Sequence, residues 1–572
     1  MTPTSDLPTP DLHIPGDGTL GGLLRAQAAA RPHADALVIP AWTHGGEEQR
    51  LSFAQLDTRA DALAAALLDL GLRPGEHVAL WAANLPHWVP LEYALARAGL
   101  VLVTVNTALK ASEVGYVLRQ SKAVAVLHSS GTGSNDANAV LDALLADPEQ
   151  RPTTLRLRAW LPSSPTDRAP EGLLPRGDAD PERGTPLDLR DLEARGAALP
   201  DEPLARVEST LTPDDVVNIQ YTSGTTGFPK GVMLSHRNLL SSAVSLAEMI
   251  RVTDRDRTLL MVPLFHCFGC VVAVLGSHVR GAALCVLPGF DPEHALRLVH
   301  EERCSVIHGV PTMYSAMLAH PERARFDTTS LRTGLAAGAP CPEPLMRALI
   351  EDLHCTGITV TYGLTEAAPG VSGSNPEDSL QARCGTIGRA LPGVELRIVC
   401  PDTRVELPRG ERGELWVRGA NVMVGYHDDP AATAEAVSGD GWLRTGDLCT
   451  LDDEDRLRIV GRAKDLIIRG GENIAPAEIE NLLREHPQIV DASVVGVPDA
   501  HFGEELAAAL ILATDASLDP DSYRALLSGR LASFKVPRHW VALERFPLTG
   551  SGKVRKFKLR EALAVQLGLA PA

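Results

Sequence analysis

Two short segments of the chain place a lysine after a run of glycine and hydroxyl-bearing residues. The first is TSGTTGFPKG, residues 222–231, and the second is PLTGSGKVRK, residues 547–556. Backbone N–H groups and hydroxyls in such a run can surround a polyphosphate, and a lysine adds positive charge. Both segments therefore indicate phosphate chemistry, with Lys230 and Lys553 as the two cations.

Neither segment is a P-loop, which has the pattern G-x-x-x-x-G-K-[ST] between a strand and a helix. Pro229 stands where the first segment would need glycine, and Pro547 stands where the second would need its first glycine. Val554, after Lys553, cannot ligate magnesium. Only eight of the 54 basic residues are lysines, so a lysine in both segments suggests that a compact point charge is needed there.

Helical and extended patterns alternate in the part of the chain that would position the first segment. Apolar residues recur every three or four positions over residues 56–70, which predicts a helix that Gly71 ends. HVALWAAN, from residue 77, and DVVNIQY, residues 215–221, predict buried strands. This alternation is typical of α/β layers.

The second segment follows a differently patterned region. Short strands such as VELRIV and GELWVRG dominate residues 394–460, and a final unit begins near Gly461. In that unit NIAPAEIENLLREHP, residues 473–487, predicts a helix with Pro476 near its start.

A chain of 572 residues is too long for one core, so several domains are expected. Residues 1–20 are rich in Pro and Asp and are predicted to be disordered. Residues 21–461 are predicted to form a large domain with a surface insertion near residues 162–187, which are rich in Pro, Gly and charge. Residues 462–572 are predicted to form a small C-terminal domain.

The composition is that of an ordinary soluble protein, with 44% hydrophobic and 22% charged residues. A formal net charge of −18 argues against nucleic-acid binding. The nine cysteines, including the C-x-x-C pair Cys267 and Cys270, are predicted to be reduced thiols and not zinc ligands. No signal peptide and no transmembrane segment is expected, so a cytoplasmic location is predicted.

The motifs together identify a family. YTSGTTGFPKG resembles the phosphate-binding signature of the AMP-forming acyl-CoA synthetases, which belong to the adenylate-forming superfamily. The other motifs follow in the family's order: AAGAP (336–340), TYGLTE (361–366), GWLRTGDL (441–448), GRAKDLIIRGGENIAPAEIE (461–480) and PLTGSGKVRKFKLRE (547–561). The resemblance covers roughly residues 20–565.

This resemblance implies a large N-terminal α/β domain with layered sheets and a small β-barrel-like part, plus a small mobile α+β C-terminal domain. It also implies two half-reactions. A carboxylic acid and ATP give acyl-AMP and pyrophosphate, and the thiol of coenzyme A then displaces AMP. Because an anion attacks an anionic phosphate, cations near the reacting oxygens should supply much of the catalysis. The implied cofactors are ATP, Mg²⁺ and coenzyme A.

The resemblance also assigns roles to individual residues. Lys553 would bridge the substrate carboxylate and the α-phosphate, Thr365 would contact the α-phosphate, and Glu366 would be both a catalytic residue and the magnesium ligand. Gly470 and Gly471 would let the pantetheine arm of coenzyme A pass, and Lys464 would be the hinge between domains. The remaining nucleotide-binding residues would be Thr222, Ser223, Gly224, Thr225, Thr226, Gly227, Lys230, Gly338, Ala339, Pro340, Tyr362, Asp447 and Arg462.

The acyl pocket is expected to include His266, Gly309 and Met313, although a core histidine is an equal interpretation of His266. Overall similarity favours a medium-chain or longer fatty acid, with aryl acids next. Other functions remain open: a peptide-synthetase adenylation module, a fatty-acyl-AMP ligase that loads a carrier protein, and a non-catalytic nucleotide-binding regulator. The sequence leaves chain length, pathway and oligomeric state open, a homodimer included.

Overall fold

The computed structural model describes residues 13–569 except for 45–47, 133–134, 164–186, 223–228, 463–464, 466, 470–471, 500–501, 529, 532 and 549–552. The described chain divides into two compact units. The first comprises residues 1–395 and 417–443, and the second comprises residues 396–416 and 444–572. Most of the predicted insertion, and residues 1–12 of the predicted disordered segment, lie outside the described residues.

The helices and strands are numbered here in chain order. The strands are β1 (Asp35–Ile39), β2 (Gln49–Ser52), β3 (His77–Trp81), β4 (Val101–Thr104), β5 (Ala125–His128), β6 (Gly131–Thr132), β7 (Asn135–Asp136), β8 (Leu157–Trp160), β9 (Leu187–Asp188), β10 (Val216–Thr222), β11 (Lys230–Ser235), β12 (Arg257–Leu260), β13 (Ala283–Val286), β14 (Val306–Gly309), β15 (Thr333–Ala336), β16 (Gly357–Gly363), β17 (Gly370–Gly373), β18 (Arg389–Ala390), β19 (Val394–Val399), β20 (Gly413–Gly419), β21 (Gly425–Tyr426), β22 (Leu443–Leu451), β23 (Leu457–Arg462), β24 (Ile467–Arg469), β25 (Glu472–Ile474), β26 (Ile489–Asp499), β27 (Gly503–Leu512) and β28 (His539–Ala542).

The α-helices are α1 (Leu20–Ala30), α2 (Ala41–His44), α3 (Phe53–Asp69), α4 (Trp88–Arg97), α5 (Ala111–Gln120), α6 (Ala137–Ala146), α7 (Leu189–Gly196), α8 (Glu202–Glu208), α9 (His236–Met249), α10 (Gly276–His278), α11 (Pro292–Glu302), α12 (Pro311–Ala319), α13 (Glu343–Glu351), α14 (Leu380–Gly385), α15 (Pro430–Ala436), α16 (Pro476–Arg484), α17 (Pro520–Ser528) and α18 (Lys556–Gln566). A π-helix spans Phe268–Leu275, and 3₁₀ turns span Arg323–Arg325, Thr365–Ala367 and Ser533–Lys535. None of the described helices has both the length and the hydropathy needed to cross a bilayer.

The first unit contains two large, mainly parallel sheets. One has nine strands in the order β18-β17-β16-β15-β14-β12-β13-β1-β2, and the other has eight in the order β21-β11-β10-β4-β3-β5-β8-β9. In the nine-stranded sheet, neighbouring strands from β16 through β15, β14 and β12 to β13 run parallel. In the eight-stranded sheet, the neighbouring strands β10, β4, β3, β5 and β8 run parallel. Helices α11, α12 and α13 cover one face of the nine-stranded sheet with a continuous apolar core. The predicted layered α/β fold is confirmed.

Local sequence signals explain several element boundaries. The helix predicted over residues 56–70 is α3, and its periodic residues Leu56, Ala60, Leu63 and Leu67 are buried. At its start, Ser52 Oγ accepts a hydrogen bond from the Gln55 amide while Gln55 Oε1 accepts one from the Ser52 amide, a reciprocal capping box. Beyond its last residue, Gly71 has φ of +85°, which favours glycine.

The second unit contains two smaller sheets. Strands β19-β20-β22-β23 form an open four-stranded sheet, so the β-barrel-like part expected from the resemblance is not a closed barrel within the described residues. The other sheet joins β25-β24-β27-β26, with β28 beside β27, and carries the predicted helix as α16. Ile479 and Leu483 of α16 are buried in its core, as an amphipathic helix requires.

Candidate active site

The predicted nucleotide and acyl-pocket residues of the first unit follow the carboxyl ends of neighbouring parallel strands. Gly309 at the end of β14 pairs with Ala336 of β15, and Ala336 pairs with Val360 of β16. The chain segments that carry Gly338–Pro340 and Tyr362 therefore leave the sheet at the same edge. In parallel α/β sheets this edge is where ligands bind. Gly338 has φ of +82°, which a glycine adopts without strain.

The first lysine segment is the connection of a β-hairpin. Thr222, the last residue of β10, pairs with Lys230, the first residue of β11. The hydroxyl of Tyr116 donates a hydrogen bond of 3.0 Å to the carbonyl of Pro229, which fixes the end of this connection. Five predicted phosphate-binding residues lie outside the described residues: Ser223, Gly224, Thr225, Thr226 and Gly227.

A tyrosine joins the two charged residues of this region. Tyr426 Oη donates a hydrogen bond of 2.9 Å to Glu366 Oε1, and Lys230 Nζ lies 4.8 Å from the centroid of the Tyr426 ring. Burial and the adjacent Glu366 carboxylate raise the pKa of Tyr426, so its phenol stays protonated and donates. The structure thus brings together Lys230 and Glu366, which the sequence predicted, through Tyr426, which the sequence did not reveal.

The segment before Tyr426 fixes the backbone around Glu366. The amide of Met423 donates to the Glu366 carbonyl at 2.9 Å, and Asn421 Nδ2 donates to the carbonyls of Ala367 and Gly370. Strand β21 adds Tyr426 to the edge of β11. Thr365 and Glu366 form a 3₁₀ turn directly after β16, and both side chains are half-buried. Hydrogen bonds from Met423 and Asn421 therefore fix the backbone at Glu366 and at the residues that follow it.

The predicted acyl-pocket residues lie at the same sheet edge. His266 Nδ1 accepts a hydrogen bond of 3.1 Å from the Phe268 amide, so the imidazole is oriented by the start of the π-helix. A Cβ on Gly309 would lie 2.6 Å from the Met261 methyl and 3.1 Å from the Tyr314 ring, so a larger residue there would require these side chains to shift. Met313, on α12, packs half-buried against the core of the nine-stranded sheet.

The second unit carries the other predicted nucleotide residues. Asp447 on β22 is buried and pairs in register with Arg462 on β23. The Asp447 amide donates to Thr445 Oγ1 at 3.1 Å, and Thr445 Oγ1 donates to the Leu415 carbonyl at 2.8 Å. The predicted hinge Lys464 and the two glycines predicted for coenzyme A, Gly470 and Gly471, lie outside the described residues.

Lys553 is exposed on the loop that precedes α18. A bridge between Leu548 and Val554 closes this loop, and the Arg555 amide donates to the Pro547 carbonyl at 2.7 Å.

The helix after the loop is held by an ion pair that sequence reasoning missed. Lys556 Nζ lies 2.7 Å from Glu480 Oε1, and the Val494 amide donates to the same oxygen at 2.7 Å. Lys556 begins α18 only three residues after Lys553, so this pair fixes the base of the loop that carries Lys553.

Comparison with known proteins identifies the family. The family model described as AMP-binding enzyme matches residues 24–427, and the model of the AMP-binding enzyme C-terminal domain matches residues 478–553. A Bacillus subtilis (strain 168) protein named provisionally as acyl-CoA synthetase YngI is 42% identical over 546 residues, covering 95% of this chain and 96% of that protein.

A mammalian relative and a solved structure agree. The mitochondrial medium-chain acyl-CoA ligase ACSF2 of Mus musculus is 37% identical over 559 residues, covering 96% of this chain and 88% of that protein. ATP-bound MatB from Rhodopseudomonas palustris superposes with a TM-score of 0.80 at 30% identity, covering 96% of this chain and 99% of MatB.

Proposed function

The chain belongs to the AMP-binding enzyme family and is an AMP-forming acid–CoA ligase, and on that premise we propose that it activates a medium-chain or longer fatty acid. The carboxylate oxygen of the acid attacks the α-phosphorus of ATP, and pyrophosphate leaves. The coenzyme A sulfur then attacks the acyl carbon, AMP leaves, and the thiol loses its proton. The fatty-acid preference is supported by the mouse relative, which is named for medium-chain acids.

The observation that carries the ATP-dependent step of this proposal is the contact of Tyr426 with both Lys230 and Glu366 beside the β10–β11 hairpin. Lys230 offers positive charge to the β- and γ-phosphates, together with Thr222 and residues 223–227. Thr365, which begins the 3₁₀ turn after β16, is assigned to the α-phosphate. Tyr362 and Gly338–Pro340 are assigned to the adenosine, and Asp447 and Arg462 to the ribose.

Glu366 is the residue that would hold Mg²⁺. The described residues contain no group of three or more His, Cys, Asp or Glu side chains that could enclose a metal. A lone carboxylate nevertheless suits Mg²⁺, which is commonly bound by one or two carboxylates plus substrate phosphates. Glu366 fits this role because Tyr426 bonds one carboxylate oxygen and holds the group in place. Bound Mg²⁺ would neutralise negative charge on the phosphates.

Lys553 is assigned to adenylation. Its exposed ammonium can approach the anionic carboxylate and α-phosphate, and two unit charges 4 Å apart interact by about 4 kcal/mol at an effective dielectric near 20. Lys464 is assigned to the hinge, and Gly470 and Gly471 to the path of coenzyme A. Residues 21–461 and 462–572 are proposed as the adenylation and mobile C-terminal domains. A cytoplasmic location and a homodimer stay predictions.

The proposal is tested by AMP release with ATP, Mg²⁺ and coenzyme A, using straight-chain acids from acetate to palmitate plus benzoate. We expect coenzyme A-dependent AMP release with a maximum at medium or longer chains. A maximum at benzoate or acetate would refute the fatty-acid preference. ATP–pyrophosphate exchange together with AMP release that does not depend on coenzyme A would indicate that another acceptor takes the acyl group.

A further inference from the structure

A buried histidine on β14 has an unused hydrogen-bonding nitrogen. His308 is 2% exposed, and its Nδ1 has no hydrogen-bond partner among the residues that the structure describes. Burial lowers the pKa of His308 to about 3, so the ring is neutral at physiological pH. In a neutral imidazole each nitrogen is either a donor or an acceptor, so the unpaired Nδ1 leaves one bonding site unfilled.

Among the buried histidines of the described fold, His308 is the one whose Nδ1 has no partner; His320 Nδ1 and His427 Nε2, on less buried residues, also lack a hydrogen-bond partner. Each of the other buried histidines uses Nδ1 in a hydrogen bond: His87 with Arg59, His128 with the Ser129 carbonyl, His236 with the Leu20 amide and His278 with the Tyr93 hydroxyl. Leaving a buried polar atom unpaired is costly, and native structures contain few such atoms. His308 therefore requires a specific explanation.

The strand points His308 toward the π-helix that follows the predicted pocket residue His266. Gly309 faces Met261 and Tyr314, in the core beneath α12. Because successive side chains alternate across a sheet, His308 points to the opposite face. There the centroid of its ring lies 6.2 Å from that of Phe268.

Phe268 begins the π-helix that follows His266, so His308 lies beside the segment that orients this predicted pocket residue. The other two predicted pocket residues, Gly309 and Met313, lie on the α12 face of the sheet. The same π-helix contacts the eight-stranded sheet, where Gln220 Nε2 donates to Cys270 Sγ at 3.2 Å. One π-helix thus contacts polar side chains of both sheets. Such helices occur frequently at functional sites.

We propose that His308 forms a hydrogen bond with an oxygen on the acyl chain, and that the preferred acid is a medium-chain acid bearing a hydroxyl or carbonyl group. This inference rests on the proposed function and narrows its substrate class. A plain hydrocarbon chain would cover the unpaired nitrogen without bonding it. A site with a fixed hydrogen-bonding group discriminates strongly against an analogue that lacks the matching group.

The test compares octanoate with hydroxyoctanoates substituted at C3, C5 or C7, and with the matching oxo acids, by kcat/KM for AMP release. The wild-type enzyme is expected to prefer one oxygenated isomer over octanoate by about tenfold or more. His308→Phe should abolish that ratio, and His308→Asn, which keeps a hydrogen-bonding group, should retain part of it. His278→Phe is the matched control: both His278 nitrogens are bonded within the fold, so this change should leave the ratio unaltered.

Two results would overturn the inference. One is a wild-type enzyme that prefers octanoate to every oxygenated isomer. This result does not depend on whether any variant folds. The other is a His308→Phe variant whose kcat/KM falls equally for octanoate and its oxygenated isomers, which would make His308 a packing residue. AMP release with none of the acids would instead refute the proposed function itself, and the inference with it.

Discussion

Tyr426→Phe removes one oxygen atom from between the two charged groups of the candidate site. The lost atom donates to Glu366 Oε1 at 2.9 Å, while the retained ring still lies beneath Lys230 Nζ. The raised pKa of Tyr426 means that the bond is present throughout the pH range of an assay. The substitution therefore isolates one interaction of Glu366 from the contact with Lys230.

The expected effect follows from the kind of bond. A hydrogen bond to a charged group contributes about 1.5–3 kcal/mol, which corresponds to roughly 10- to 150-fold in an equilibrium or rate. Glu366 is only half-buried, so water can replace part of the lost bond and the lower end applies. We expect the Mg²⁺ concentration for half-maximal adenylation to rise about tenfold. Tyr426→Ala also removes the cation–π contact, worth roughly another two- to fivefold in the KM for ATP.

The assay is ATP–pyrophosphate exchange over a series of Mg²⁺ concentrations. Tyr116→Phe is the control, because it removes a tyrosine hydroxyl that bonds the neutral Pro229 carbonyl and does not touch Glu366. An unchanged Mg²⁺ dependence in Tyr426→Phe would refute the role given to this bond. An equal shift in Tyr116→Phe would show that the effect comes from general loosening of the hairpin.

Three further predictions concern the C-terminal loop, its support and the buried histidines. Lys553→Ala should slow adenylation by roughly 10²–10³-fold while thioester formation from supplied acyl-AMP is nearly unchanged, and an equal fall of both rates would contradict the assignment. Glu480→Gln, which breaks the ion pair with Lys556, should lower the urea unfolding free energy by about 1–3 kcal/mol. The control Glu478→Gln, at a more exposed pair with Lys535, should cost less than about 1 kcal/mol, and equal costs would contradict the role of burial. The unfolding free energy should fall as pH drops from about 6.5 toward 5, by about 1.4 kcal/mol per pH unit for each buried neutral histidine, because only the unfolded chain binds protons there. A flat profile would contradict the lowered histidine pKa values, which are about 3 for His128 and His308 and about 4 for His236 and His278.

Local patterns were sufficient for much of the fold. The apolar periodicity of α3 and the glycine that ends it, Gly71, lie in one continuous stretch of chain, so the sequence alone predicts that helix. For the helix, the physical cause is the apolar period, which neighbouring residues encode. Lys230, Tyr362 and Glu366 stand in contiguous motifs at the ends of strands, and their roles are predicted from the resemblance of those motifs to the family.

Contacts between distant segments could not be predicted in this way. Tyr426 lies in a two-residue strand that has no periodicity, and only its pairing with β11 places it between Lys230 and Glu366. The ion pair of Glu480 and Lys556 joins residues 76 positions apart, and nothing near either residue specifies the partner. The unpaired nitrogen of His308 likewise emerges only when every neighbour in space is known.

The interrupted path of the first unit has a consequence for the order in which the chain can fold during synthesis. That unit includes residues 417–443, which emerge from the ribosome only after the second unit's first segment, residues 396–416. Until β21 has been synthesised, β11 is an unpaired sheet edge, and Lys230 and Glu366 lack Tyr426. An unpaired strand edge is prone to association with other chains. We therefore expect the nascent chain to be more prone to association between the synthesis of β11 and the pairing of β21 with it. A fragment that ends at residue 395 lacks β21 and would keep this exposed edge of β11.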